Sequence, residues 1–231
     1  MTDQRPLAAV PAWLWVLLAA ALAAQLAWQV ARGPARSAGA ALAPPPSVQA
    51  LRLASFGETE ALARLGMLYL QPFDMRELDY ARLRAWLGVL LELDPRSQYP
   101  LFAASRIYAE HADAARSRAM LEFVYQQFLL DPNRRWPWLA HGALLAKHRL
   151  KDLPLARRYA AAVERHTSGA DVPLWARQME IFILEEMNEL EAAKIMLGGM
   201  LASGAVRDPG EARFLKERLD ELEARLGATR R

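Results

Sequence analysis

Read in steps of 37 residues, the chain repeats itself: Leu101, Trp138 and Trp175 fall at this spacing, as do Pro100 and Pro137, then Ser105, Gly142 and Met179, then Tyr108, Leu145 and Phe182. A fixed period in the range of roughly 20–50 residues marks stacked supersecondary units, none of which can bury its apolar face alone. No stretch beyond the Pro44-Pro45-Pro46 run reads as a strand, so the unit is a pair of amphipathic helices. One unit predicts a helix from Trp136 to Leu150, a break at Lys151 to Pro154 and a second helix from Leu155 to His166. The next predicts helices over Pro173–Met187 and Leu190–Ala202, stopped by Gly204. Upstream, Ser55-Phe56-Gly57-Glu58 fits the S-x-x-E capping box, followed by Leu62, Leu65, Met67, Leu68 and Tyr69 at mostly helical spacing; the first helix of the domain is predicted to start there. Downstream, Asp208-Pro209-Gly210-Glu211 supplies a cap, a first-turn proline and an acidic residue for the helix dipole. Phe214, Leu215, Leu219, Leu222 and Leu226 then form one apolar face, and charge fills the rest, as suits a helix that closes a stack.

The same register dissects the stretch DPNRRWPW at Asp131 to Trp138, whose two arginines and two tryptophans resemble an anion site. Asp131-Pro132 ends one hairpin, Pro137 suits a first helical turn and Trp138 takes the bulky packing position shared with Leu101 and Trp175. Arg134 and Arg135, in the loop, and Trp136 remain as candidates for contact.

These units resemble tetratricopeptide repeats (TPRs) over about residues 55 to 204. The family pattern sets a bulky residue, a Leu-Gly pair and a Tyr on the first helix, then small residues and a closing Pro around the second. Leu65-Gly66 with Tyr69 matches it in one unit, and Trp138, Gly142 and Ala156 match it in another. LELDP at Leu91 to Pro95 and LLDP at Leu129 to Pro132 resemble the family's repeat endings. The chain departs from the pattern in its 37-residue period against the usual ~34, in His141 and Gln178 where Leu is customary, and in a last unit without Asp-Pro. The resemblance implies a concave groove lined by first-helix residues: Tyr99, Phe102, Arg106 and Glu110, then Trp136, Leu139 and Lys147, then Arg177 and Glu180. Such a mixture of aromatics and charges suits a peptide segment of a partner protein. The Lys/Asn clamp of chaperone-binding TPRs is missing, because Phe102, Leu139, Ala143 and Ala176 stand at those positions.

Residues Leu7 to Ala31 form an uncharged run of 25 interrupted only by Pro11, Gln25 and Gln29, with Trp13 and Trp15 near one end and Trp28 near the other. About 20 such residues span a bilayer as a helix, and interfacial tryptophans anchor its ends. The run exceeds the ~7–15 residues of a cleaved signal's apolar region, which favours an uncleaved anchor. Arg5 and the amino terminus flank one side and Arg32 and Arg36 the other, so charge alone hardly sets the orientation. The RGPARSAGAALAPPPS tether and the absence of cysteine favour a C-terminal domain in the periplasm of a bacterial inner-membrane protein. The predicted order is a tail over 1–6, a transmembrane helix over 7–31, a Pro/Ala-rich linker over 32–48, helical repeats over 49–204 and a capping helix over 205–231. The fold class is all-α: after the anchor, an α-solenoid of about four hairpins.

Residues 1–36 carry Asp3 against Arg5, Arg32 and Arg36, which is +2 of the net +3, so the remaining domain is nearly neutral and no nucleic-acid partner is expected. Within it the sign alternates. Eight basic residues (Arg134, Arg135, Lys147, Arg149, Lys151, Arg157, Arg158 and Arg165) face two acidic ones (Asp152 and Glu164) between Asn133 and His166, and five glutamates with no basic residue fill Glu180 to Glu191. Arg134, Arg135, Arg157 and Arg158 therefore form a candidate basic patch for an anionic polymer or lipid headgroups. Glu185, Glu186 and Glu189 are the carboxylate cluster that a hydrolase, the alternative reading, would use, and they read as a solvated acidic face. His141, His148 and His166 lack the converging ligands and spacing of a metal site. With no P-loop, nucleophile elbow, dinucleotide fingerprint or cysteine, neither an enzyme nor a cofactor is expected. The expectation is a membrane-anchored scaffold, with self-association possible in principle, that binds another protein in an envelope complex.

Overall fold

The computed structural model describes residues 11–32, 42–71, 73, 75–168, 171–204 and 206–229. The expected tail, positions 7–10 of the expected anchor and linker positions 33–41 lie outside them. Among the described residues the chain is all-α, with no strand, and it divides into two compact units, residues 1–41 and 42–231. The first holds one helix, α1 (Ala12–Arg32), whose described side chains from Trp13 to Trp28 are all exposed. Among the described residues no helix is long and apolar enough to cross a membrane. The expected anchor over 7–31 extends past the described side chains of α1 at both ends.

The second unit runs α2 (Val48–Ala54), α3 (Thr59–Leu70), α4 (Tyr80–Leu93), α5 (Tyr99–Ala103) with a π-helical turn (Ala104–Tyr108), and α6 (Ala114–Leu130). It continues through α7 (Pro132–His148), α8 (Leu153–His166), α9 (Leu174–Glu186), α10 (Leu190–Ala202) and α11 (Pro209–Thr229). Packing follows the chain: α3 lies on α4, the π turn on α6, and each helix from α6 to α11 on its sequence neighbour. One apolar core extends from Leu42 to Ile183, and a second, around Leu184, Leu197, Leu215 and Leu222, seats α11 on α9 and α10. Helix α8 packs the most extensively, on α7 and on α9, and its buried Ala156, Ala160, Ala161 and Ala162 add little bulk there.

Helices α4, α6 and α8 share a device. Asp79, Asp113 and Asp152 precede α4, α6 and α8, and each accepts from a backbone N–H of its first turn: Ala81 at 2.8 Å, Ala115 at 2.8 Å and Leu155 at 3.0 Å. A carboxylate there satisfies donors that have no partner within the helix and complements its dipole. The Arg118 guanidinium, and then the Leu155 N–H, hold the Asp152 carboxyl below the usual range. Three residues beyond the first two aspartates, Arg82 donates to the carbonyl of Leu42 at 2.9 Å and Arg116 to that of Arg76 at 2.8 Å. Each arginine thus ties its helix to backbone some 40 residues earlier.

Three details differ from the sequence reading. The capping box does not form: α3 starts at Thr59, Ser55 instead ends α2 and donates its hydroxyl to the Arg52 carbonyl at 2.8 Å, and Phe56 and Gly57 turn the chain through positive φ. Helix α7 starts at Pro132, so Pro137 lies inside it rather than in its first turn. The equivalent positions Leu101, Trp138 and Trp175 are not equally packed, since Leu101 is buried, Trp138 half-buried and Trp175 exposed. The linker also ends sooner than its composition suggests. Leu42 is only 2% exposed, within the core, and Trp86 donates its indole N–H to the Ala43 carbonyl at 2.7 Å.

Candidate partner-binding face

Helices α5 and α7 bring together an aromatic cluster whose α5 members are exposed. Tyr99 and Phe102, three residues apart and so on one face of α5, stack with centroids 6.0 Å apart, and Phe102 meets the edge of Trp138 at 5.7 Å. The Trp138 indole N–H donates to Gln98 Oε1 at 2.5 Å, which fixes the ring. Beside the cluster a cavity of about 350 Å³ opens between α3 and the start of α5, lined by Arg64, Met67, Leu68, Gln71, Tyr99 and Pro100 among others. Gln71 donates to the Tyr99 hydroxyl at 3.4 Å across it. The cavity walls are mostly apolar, with the Gln71 amide and the Arg64 guanidinium among the lining groups. A second aromatic pair, Trp136 and Trp175, meets edge to face at 5.6 Å between α7 and α9.

The groove residues expected from the repeat register therefore separate. Tyr99 and Phe102 come together on the exposed face. Arg106 is exposed on the π turn, and Arg177 lines a different cavity of about 510 Å³ with Glu164, Thr167, Met196 and Met200. Lys147 Nζ pairs with Glu186 at 2.6 Å, and buried Glu180 accepts from Arg157 Nε at 3.2 Å. Leu139 is fully buried. Leu68, Met67 and Gln71 were missed, although the Leu65-Gly66 match carries the register onto α3.

The four arginines of the expected basic patch all carry bonds within the chain, and only Arg135 is buried. Arg135 is buried, donating to the Gln127 carbonyl at 2.8 Å, to Gln127 Oε1 at 3.1 Å and to the Pro95 carbonyl at 3.3 Å. Arg157 bridges Glu180 and Glu189, Arg158 holds Glu122 at 2.7 Å and lies over the Tyr125 ring, and Arg134 pairs with Asp131 at 3.6 Å. The acidic cluster mirrors this. Glu186 meets Lys147, Glu189 meets Arg157, and Glu185, buried rather than solvated, is held by Arg218 of α11. Opposite charges clasp across these helices at Lys147 with Glu186 and at Arg157 with Glu180 and Glu189.

His141 projects from α7 between Arg106 and Glu110, with Nε2 at 3.5 Å from Glu110. Burial, reinforced by the Arg106 charge, holds its pKa below the ordinary value, and the half-exposed Glu110 only partly offsets this. A depressed folded-state pKa means that the unfolded chain binds more protons below about pH 6.5, so this contribution is constant above that pH and declines below it. Stability is expected to fall from about pH 6.5 towards pH 5, with a slope from this group of at most about 1.4 kcal/mol per pH unit. His141→Gln should flatten that part of a urea-midpoint profile; an unchanged slope would assign the acid sensitivity elsewhere.

Among the described residues no group of three or more histidine or acidic side chains could hold a metal ion. Comparison of the chain with family models, with curated proteins and with solved structures finds no match.

Proposed function

We propose that this protein is a membrane-anchored scaffold in which a TPR-like α-solenoid, following an anchor over residues 7–31, holds another protein of a bacterial envelope complex. The reading places the repeat domain in the periplasm. Its principal support is the cluster of exposed Tyr99 and Phe102 with half-buried Trp138, beside the cavity between α3 and α5. Aromatic anchors with a polar rim carry most of the binding energy in protein interfaces, often about 2 kcal/mol or more each. The bonded charges around α7–α9 support a rigid frame for that face.

A photo-crosslinking residue at Gln71, at the rim of this cavity, is expected to capture a discrete protein when the full chain sits in its native membrane. Combining Tyr99→Ala with Phe102→Ala should lower capture at least about tenfold, since each 1.4 kcal/mol is one decade in affinity. Phe214→Ala, on the exposed side of α11, should leave capture intact. Equal capture by all three proteins would sink the proposal.

A further inference from the structure

The two most exposed large apolar side chains among the described residues sit together at the end of α2: Leu53 in its last turn, 80% exposed, and Phe56 in the turn that follows, 96% exposed. Scattered exposed apolar residues are ordinary, but Phe56 also has a φ of +49°, a left-handed backbone that favours Gly or Asn. Its ring gains almost nothing from its own chain in return. The tip is not a loose end. Ser47 caps α2, Val48 and Leu51 pack on the core, Arg52 reaches the Glu92 carbonyl at 3.4 Å and Ser55 bonds back to Arg52. Leu53 and Phe56 are thus held outward by a segment fixed on its inner side.

Covalent geometry limits where that tip can be. Residues 33–41 join Arg32, the end of α1, to Leu42, which is pinned on α4; ten Cα–Cα steps span at most about 36 Å. With α1 in a bilayer, the pinned start of the domain stays within that reach of the headgroups, and α2 begins six residues later. A Phe and a Leu at the point of a fixed turn gain burial by entering the headgroup–acyl boundary, where such side chains are favoured. Resting on the anchor reading above, we propose that Leu53 and Phe56 make a second, shallow contact with the phospholipid bilayer that holds α1, and so orient the repeat domain on its surface.

The absence of native cysteine makes the test direct. Single substitutions Leu22→Cys, Leu53→Cys and Ile195→Cys in the full chain are labelled with an environment-sensitive fluorophore. Each is placed in phosphatidylethanolamine–phosphatidylglycerol nanodiscs, with or without nitroxide lipids. Ile195, 72% exposed on α10, serves as the aqueous reference and Leu22 reports on α1. The expected result is strong quenching at position 22 and several-fold more quenching at 53 than at 195. Adding Phe56→Asp should bring position 53 down to the level of 195 with helicity unchanged. Quenching at 22 with position 53 equal to 195, or no loss with Phe56→Asp, overturns the second contact and leaves the anchor standing; a protein-docking role for the tip then takes its place. No quenching at 22 overturns the anchor itself, and this inference with it.

Discussion

Arg135→Ala is expected to lower the unfolding free energy by about 3 kcal/mol, the scale for removing one partner of a buried charge-assisted hydrogen-bond network. Arg135 is only 5% exposed, and its guanidinium reaches two elements at once, the last turn of α6 through Gln127 and the α4–α5 connection through Pro95. Arg135 serves the α6 terminus: the Asp131 N–H, the i+4 donor for Gln127, turns to the Phe128 carbonyl, and the Gln127 carbonyl accepts from Arg135. Alanine leaves both carbonyls buried and unpaired and opens a void beside them. Lysine keeps the charge but not the planar fork, and should recover less than half of the loss. Arg134→Ala, at an exposed pair with Asp131, should cost no more than about 0.5 kcal/mol. Urea unfolding of the full chain in mild detergent, followed by tryptophan fluorescence, separates the two. Small and equal effects would return Arg135 to the surface patch that the sequence suggests.

The second large effect is expected at Glu185. Its buried carboxylate accepts from Arg218 Nε at 3.1 Å, with a further bond from the same guanidinium, and Arg225 lies 3.7 Å away. Around this point α11 is held by Leu215 and Leu222, by Gln178 donating to Glu211 at 3.0 Å and by Lys194 with Glu223. Breaking a buried pair costs about 3–5 kcal/mol, but Arg218 is about one-third exposed, and water screening brings the expectation for Glu185→Ala down to about 2 kcal/mol. The loss should be local: amide exchange through α11 should accelerate roughly thirtyfold while α4 to α8 keep their rates. Glu185→Gln, which retains one acceptor, should fall between. A uniform rise in exchange along the chain would show that α11 is not a separable element.

The helices after Pro132 were legible because their signals are local. Lys151 takes a positive φ in the break before α8, which starts at Leu153, two residues before the expected Leu155; Gly204 takes a positive φ of 69°, and Asp208 accepts from the Glu211 N–H at 2.8 Å at the start of α11. Local matching also misled. Ser55 and Glu58 have the right types and spacing for a capping box, but the Phe56-Gly57 turn between them puts Ser55 at the end of one helix and Glu58 at the start of another. What sequence reading could not supply was the partner of each charge. The excess of base before His166 and of acid after Glu180 was visible, yet its meaning needs α8 laid against α9, which brings Arg157 to Glu180 and Glu189. Leu42 was hidden for the same reason: an isolated leucine in an Ala/Pro tract becomes core only because Arg82 and Trp86 receive the backbone around it. Of the expected groove residues, Tyr99 and Phe102 share the exposed side of one short helix, whereas Lys147 pairs with Glu186 and Glu180 with Arg157.

That pinned leucine also sets the load path of the molecule. Tension on the segment before it enters the fold at Leu42, where the Arg82 and Trp86 hydrogen bonds and a buried side chain must fail together, before any pull can peel α2 from its end. The attachment behaves as a strain relief on a cable, keeping tugging at the amino-terminal side away from the aromatic face between α3, α5 and α7.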